Sequence, residues 1–277
     1  DVAVRFGARN FATDEKGNVY GSTSRGIFTL EGDSARPFPI PQFTFGKEVI
    51  NIYCGKQGTF YLTSDRNGVC RVRGSTIENF SAPRHLQSDQ VISFVEDRNG
   101  NAWVGTQDGL AFIRGNEVCY LNTNEGLAGN LIYVLLQDPA GDIWVGTDFG
   151  LSRITLGPDS EPLNIHNYGS EDGFTGLECN QGAGFIDTKG RIWFGTIEGL
   201  ACYHPDRDFR DLRPPHLEIS GLQVKLEEVD WAKRGIQTHA WTQIPVNPVF
   251  ESEENHIRIE FAGITQRLPE NVKYRYR

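Results

Sequence analysis

Four aspartates stand at the same place in a recurring motif. Asp14, Asp97, Asp138 and Asp187 each open a turn of the form D-x-x-G, and D-R-N-G-N-A-W from Asp97 has the oxygen-rich character of a calcium loop. Such a loop needs its sharp-turn glycine at position six, and here glycine falls at position four. Turn chemistry fits better: the carboxylate bonds its own backbone while the glycine takes a positive φ. Nucleophilic chemistry has little to work with, because His85, His166, His204, His216, His239 and His256 are scattered and read as surface or capping residues. The sequence contains no G-x-S-x-G, P-loop, H-E-x-x-H or strand-linked G-x-G-x-x-G. Cys54, Cys70, Cys119, Cys179 and Cys202 form no C-x-x-C and flank no His pair, so buried free thiols are expected, one disulfide staying open in an oxidising compartment. No catalytic residue, metal site or cofactor is expected.

The aspartates belong to a repeat. TDEKGNVYGSTSRGIFTL, GKQGTFYLTSDRNGVCRV, EDRNGNAWVGTQDGLAFI, QDPAGDIWVGTDFGLSRI and IDTKGRIWFGTIEGLACY share an acidic or polar turn, an aromatic strand and a Gly-hydrophobic pair. Their turn glycines, Gly17, Gly58, Gly100, Gly141 and Gly190, are spaced by 41, 42, 41 and 49 residues. That period is one four-stranded propeller blade. Tyr20, Tyr61, Trp103, Trp144 and Trp193 follow their glycines by three residues. A large ring recurring in every blade is expected to fill the wedge between sheets rather than to react. Gly105, Gly146 and Gly195 should permit close strand approach, with Thr106, Thr147 and Thr196 beside them in strand or turn hydrogen bonds. The fold class is therefore all-β, a β-propeller with repeats near 10–46, 50–82, 91–123, 131–168 and 180–207. Each blade buries its face only on a neighbour, so missing blades or a second chain are expected to complete it, a closed five-bladed ring being the less favoured outcome.

With the strands committed to packing, ligand contacts are expected from loops on one rim. The variable pairs inside G-T-x-x-G-L are Gln107-Asp108, Asp148-Phe149 and Ile197-Glu198. The segments leading into the first strands, with Asp89, Asn130 and Asn180-Gln181, should share that rim. Amides and carboxylates beside Phe149 suit a sugar, which needs hydroxyl partners and an apolar stacking face. The competing reading has Asn130 and Asn180 capping their turns. Candidate ligand-binding residues are thus Asp89, Gln107, Asp108, Asn130, Asp148, Phe149, Asn180, Gln181 and Glu198.

Composition narrows the partners. Of 277 residues, 36 are acidic and 27 basic, a net charge of −9, so no basic face for nucleic acid or an anionic membrane is expected. The longest apolar run, 131–136, is strand length, far short of the ~18 residues of a membrane span. The chain opens at Asp1 without an initiator Met and is expected to be a mature or excised segment. Glycine at 31 residues and aromatics at 11% agree with many short strands. Past residue 207 the pattern changes. HPDRDFRDLRPP ends in Pro214-Pro215 and reads as a short stiff linker over 208–215. HLEISGLQVKL, HIRIEFAGI and VKYRYR then alternate as half-buried strands of a second β unit, 216–277, while 227–243 has no clear period.

The stretch E-D-R-N-G-N-A-W-V-G-T-Q-D-G-L, repeated as Q-D-P-A-G-D-I-W-V-G-T-D-F-G-L and preceded by N-E-G-L-A-G-N-L-I, closely resembles the two-component regulator propeller repeats of bacterial sensors. G-F-T-G-L-E-C-N-Q-G-A and W-F-G-T-I-E-G-L are similar to the last such repeat, and P-P-H-L-E-I with N-H-I-R-I-E-F-A-G-I resembles the start of the triple-tyrosine domain. The resemblance implies a partial immunoglobulin-like sandwich over 216–277, placed between propeller and membrane. It also implies a larger parent, since such proteins carry more than five repeats and their triple-tyrosine domain continues past Y-R-Y-R. The implied role is the periplasmic ligand-sensing region of a sensor histidine kinase or hybrid two-component protein. The cue would be a small molecule or oligosaccharide, the parent a homodimer, and the kinase and membrane segment would lie outside this chain. A propeller lyase or quinoprotein, and an interaction scaffold, stay open. The first would show converging His, Glu and Asp with a metal or cofactor, the second an apolar patch without a pocket.

Overall fold

In a computed structural model of the chain, residues 8–23, 26–32, 34–38, 49–64, 66–208 and 216–264 are described. The chain divides into two compact units, Asp1–Arg207 and Asp208–Arg277. Each D-x-x-G turn reverses the chain tightly enough to set successive strands antiparallel, and the first unit is a series of meanders. Blade 1 holds β1 (Asn10–Thr13), β2 (Val19–Thr23), β3 (Gly26–Glu31) and β4 (Ser34–Pro37). Blade 2 holds β5 (Asn51–Cys54), β6 (Thr59–Thr63), β7 (Val69–Arg73) and β8 (Thr76–Phe80). In blade 3 come β9 (Val91–Glu96), β10 (Ala102–Thr106), β11 (Gly109–Arg114) and β12 (Glu117–Leu121). Blade 4 follows with β13 (Ile132–Gln137), β14 (Ile143–Thr147), β15 (Gly150–Leu156) and β16 (Pro162–Tyr168). Blade 5 has β17 (Cys179–Ile186), β18 (Ile192–Thr196) and β19 (Gly199–Tyr203), three strands among the described residues where four were expected. Neighbouring blades meet chiefly through their first strands, β1 on β5, β9 on β13 and β13 on β17.

The seams form the core. Trp103, Leu110 and Phe112 of blade 3 pack on Ile132, Ile143, Val145 and Ile154 of blade 4. Trp144 and Leu151 of blade 4 pack on Cys179, Ile192 and Phe194 of blade 5. Matching clusters join blades 1 and 2 around Tyr20 and Leu62, and blades 2 and 3 around Tyr61 and Phe94. Among the described residues no cluster joins blade 5 to blade 1. The positions that are 0% and 3% exposed as Leu110 and Leu151 are 69% exposed as Leu200, with Phe185 also bare.

Burying an indole requires a partner for its N–H. The turn aspartates supply it: Trp103, Trp144 and Trp193 donate Nε1–H to Asp97, Asp138 and Asp187 at 3.2, 2.9 and 3.1 Å. The same carboxylates accept from their own turns, as Asp97 does from the N–H of Asn99 and Asn101, both at 2.9 Å. In blade 2 Gly55 stands where the aspartate would be, and Glu96 of blade 3 takes over, accepting from Tyr61 OH at 3.2 Å and Lys56 N–H at 2.5 Å. The W-V-G-T glycine answers both to its own first strand and to the next blade. A Cβ on Gly105 would collide with Ser93 Oγ and stand 2.7 Å from Ile132 Cγ2, and one on Gly146 would stand 2.9 Å from Cys179 Sγ and 3.0 Å from Val134 Cβ.

In the second unit β20 (His216–Val224) pairs with β22 (Ile257–Ile264), and β21 (Glu227–Glu228) flanks β20. Cross-strand register puts Ile219, Leu222 and Val224 opposite Phe261, Ile259 and Ile257, giving the sheet one apolar face. Trp231, whose segment had no readable period, is buried beneath Arg234 and edge-on to Phe250. The Pro214-Pro215 pair and the strand expected at 272–277 lie outside the described residues.

Two outcomes are expected. Trp144→Ala should cost about 3–5 kcal/mol in denaturant unfolding, as for a fully buried large aromatic, and Trp193→Ala clearly less, its ring being only half-buried. For Asp187, burial raises the pKa but is outweighed by hydrogen bonds from the Trp193 and Arg191 side chains and the Arg191 and Lys189 N–H groups, leaving it well below the ordinary carboxylate range. Its contribution is therefore fully present above pH ~4 and is lost progressively as pH falls from there toward the depressed folded-state value, so the gap in urea midpoint between wild type and Asp187→Asn should be constant from about pH 7 to pH 5 and narrow only below about pH 4.

Candidate functional site

The turns between second and third strands share one rim and are locked alike. Thr106, Thr147 and Thr196 donate Oγ1–H to the carbonyls of Gly109, Gly150 and Gly199 at 2.9, 3.0 and 3.1 Å. Each threonine oxygen also accepts the N–H of the second variable residue, Asp108, Phe149 or Glu198, at 3.0–3.3 Å. The backbone is held and the side chains of Gln107, Asp108, Phe149 and Glu198 are exposed, Phe149 to 67%. Blade 2 departs from this. Its turn is longer, Ser64 N–H bonds Gly68 O at 3.3 Å, and the buried Thr63 hydroxyl is left without a partner.

The lead-in segments lie against these turns. Gly68 N–H donates to Asp89 O at 3.3 Å, and Gly109 N–H to Asn130 O at 2.7 Å. Asp89 and Asn130 use their side-chain oxygens locally, accepting from Ala82 N–H at 2.7 Å and Thr123 N–H at 2.9 Å. Asn180 Nδ2 donates to Thr196 O at 3.1 Å. These three hold the loops that present the rest.

Sequence patterning missed a set of bulges. In β9 Ser93 pairs with Gly105 and Val91 with Thr106, leaving Ile92 unpaired. In β13 Ile132 pairs with Thr147 and Val134 with Gly146, leaving Tyr133. In β17 Cys179 pairs with Thr196 and Gly184 with Phe194, so residues 180–183 face Gly195 alone. Bulges re-aim side chains at sheet ends, and these three meet where the first strands of blades 3, 4 and 5 converge. Gln181 Nε2 reaches across to Ile92 O at 3.4 Å, and Tyr133 OH donates to Glu178 Oε1 at 3.2 Å. Burial first, then the hydrogen bond to Glu178 and the Glu178 and Asp148 charges, raise the Tyr133 pKa above the phenol range. The structure thus groups Tyr133, Asp148, Glu178 and Gln181 at one mouth, flanked by the turns carrying Asp108, Phe149 and Glu198. Asp89, on the blade 2 to 3 connection, stands apart. Tyr133 and Glu178 had no signal of their own, though Glu178 falls within the long 49-residue interval between Gly141 and Gly190.

A cavity of about 590 Å³ lies toward the other end of the first strands, lined by Asp14, Tyr53, Lys56, Phe94 and Glu96 among others. Three of its polar groups are engaged: Asp14 with its own turn, Glu96 with Tyr61 and Lys56, and Lys56 Nζ with Arg98 O at 2.6 Å. Among the described residues no group of three or more His, Cys, Asp or Glu is disposed to hold a metal ion. His85 and His166 pack edge-on against Phe80 and Tyr168.

Residues 85–108 and 126–149 match the family model described as two component regulator propeller. An extracellular domain assigned to the hybrid two component system BT3049 of B. thetaiotaomicron superposes with a TM-score of 0.63 at 20% identity, over 92% of this chain and 35% of that one. The corresponding domain of BT4673 from the same organism gives 0.53 at 21% identity, over 76% and 28%. Virginiamycin B lyase from Staphylococcus aureus gives 0.51 at 14% identity, over 76% and 74%. The chain thus has the β-propeller fold and spans about a third of the sensor domains it resembles. No curated protein matches it.

The turn geometry sets a contrast. Thr63→Val should leave stability unchanged or raise it, since it removes an unpaired buried hydroxyl, whereas Thr147→Val strips Gly150 O and the Phe149 N–H of a partner and should cost about 1–3 kcal/mol in thermal unfolding.

Proposed function

We propose that this chain is the extracytoplasmic ligand-sensing region of a bacterial two-component sensor, and that its cue is an oligosaccharide held at the bulged mouth of blades 3 to 5. The observation carrying this reading is the convergence of three first-strand bulges in successive blades, with Gln181 reaching Ile92 O and Tyr133 bonded to Glu178, on the rim whose turns leave Phe149 exposed. Sugars bind through hydroxyl hydrogen bonds and one apolar face, and this set offers acceptors, an amide and a bare ring. The match over 85–108 and 126–149 to two component regulator propellers and the likeness to extracellular sensor domains support the sensor role. The unit after residue 207, with its one apolar sheet face, is assigned as the start of the triple-tyrosine sandwich. In the parent protein it would stand between propeller and membrane, in the periplasm and in a homodimer, with the kinase beyond the membrane. Residues 208–215 serve as the connection.

The test is a glycan array followed by calorimetry on any hit. Asp108→Ala and Phe149→Ala should each weaken binding about tenfold or more while leaving the melting temperature unchanged, since both side chains are exposed. Glu15→Gln, at the opposite end, should bind as wild type. Binding indifferent to both rim substitutions would place the ligand elsewhere.

A further inference from the structure

The mouth of blades 3 to 5 also indicates which sugars it takes. We infer, resting on the oligosaccharide reading above, that it selects uncharged or amine-bearing oligosaccharides and rejects those carrying uronates or sulfates. The rim segments 107–109, 122–133, 148–150, 169–183 and 197–199 contain no Lys, Arg or His, while Asp108, Asp148, Glu178 and Glu198 stand among them. No described salt bridge reaches any of these four. The partners they have are neutral donors: Tyr133 OH for Glu178, and Leu131 N–H for Asp148 at 3.4 Å. The nearest cations along this rim in sequence, Arg66 and Arg84, belong to the blade 2 turn and the blade 2 to 3 connection.

Hydrogen-bond chemistry points the same way as charge. An ionised carboxylate only accepts. Of the donors at the bulges, Tyr133 OH is given to Glu178 and Asn180 Nδ2 to Thr196 O, while Gln181 Nε2 is on a long 3.4 Å bond to Ile92 O; with the exposed amides of Gln107 and Asn130 it makes up a neutral donor set that carries no positive charge. Against these few neutral amides stand four carboxylates that only accept, so a ligand that brings donors, as hydroxyls and amines do, finds the more partners. A uronate or sulfate brings acceptors and negative charge to a surface rich in both. The site itself rests on the bulges and Phe149; the carboxylates decide among ligands.

Calorimetry on the intact chain with matched pairs tests this: oligogalacturonides against their carboxyl-reduced galactose counterparts, and chitosan against chitin oligomers. The uncharged or amine member should bind about tenfold or more tighter than any acidic counterpart at low salt, the gap narrowing as ionic strength rises. In Asp108→Asn/Glu198→Gln, which alters only exposed side chains, the gap should shrink at least threefold with the melting temperature unchanged. An acidic member binding as tightly as its reduced counterpart, or a gap insensitive to both salt and substitution, overturns the selectivity while the sugar reading stands. A panel silent throughout removes the sugar reading itself.

Discussion

A propeller blade cannot bury its own face, and the rest of this structure follows from that constraint. Each seam needs a large flat side chain, and a buried indole needs an acceptor for its N–H. The turn aspartate meets that need while holding its own hairpin, so turn and seam are one device in blades 3 to 5. Blade 2 shows how strongly the acceptor is required. With Gly55 in the aspartate's place and Tyr61 in the tryptophan's, a carboxylate reaches in from the neighbouring blade as Glu96.

Seam packing also shapes the mouth. Gly105 and Gly146 lack side chains so that the next blade's first strand can close on them, and the bulges at Ile92 and Tyr133 fall beside those same glycines in the ladder. Any change in how one blade seats on the next therefore reaches Tyr133, Glu178 and Gln181 directly. A bound molecule bridging blades 3 and 5 would in turn bias the seams, as ligand-linked conformational change requires.

The cations are used elsewhere. Arg71 lies over Phe80, bonded to Glu78 and the Gly115 carbonyl, and Arg153 lies over Trp144, bonded to Asp142 and Tyr203 OH. At the end away from the mouth, Lys56 holds Arg98 O and Arg98 holds Pro139 O, each clasping the following blade. Paired inside seams or spent on backbone carbonyls, these charges stiffen the blade stack and leave the mouth to carboxylates and amides.

The repeat period, blade strands, tryptophan packing and turn role of the aspartates were all legible in the sequence, because they depend on contacts within some seven residues or on a spacing repeated in every blade. The exposed rim side chains Asp108, Phe149 and Glu198 were legible for the same reason, since a T-x-x-G turn dictates which residues point outward. The bulges were not. An unpaired residue in a first strand exists only by reference to its partner strand, and Ile92 or Tyr133 in isolation reads as one more apolar position. Nor was the pairing of Tyr133 with Glu178, or of Gln181 with Ile92, which lie 45 and 89 residues apart. Such contacts arise from how blades are stacked, and only the tertiary structure decides that.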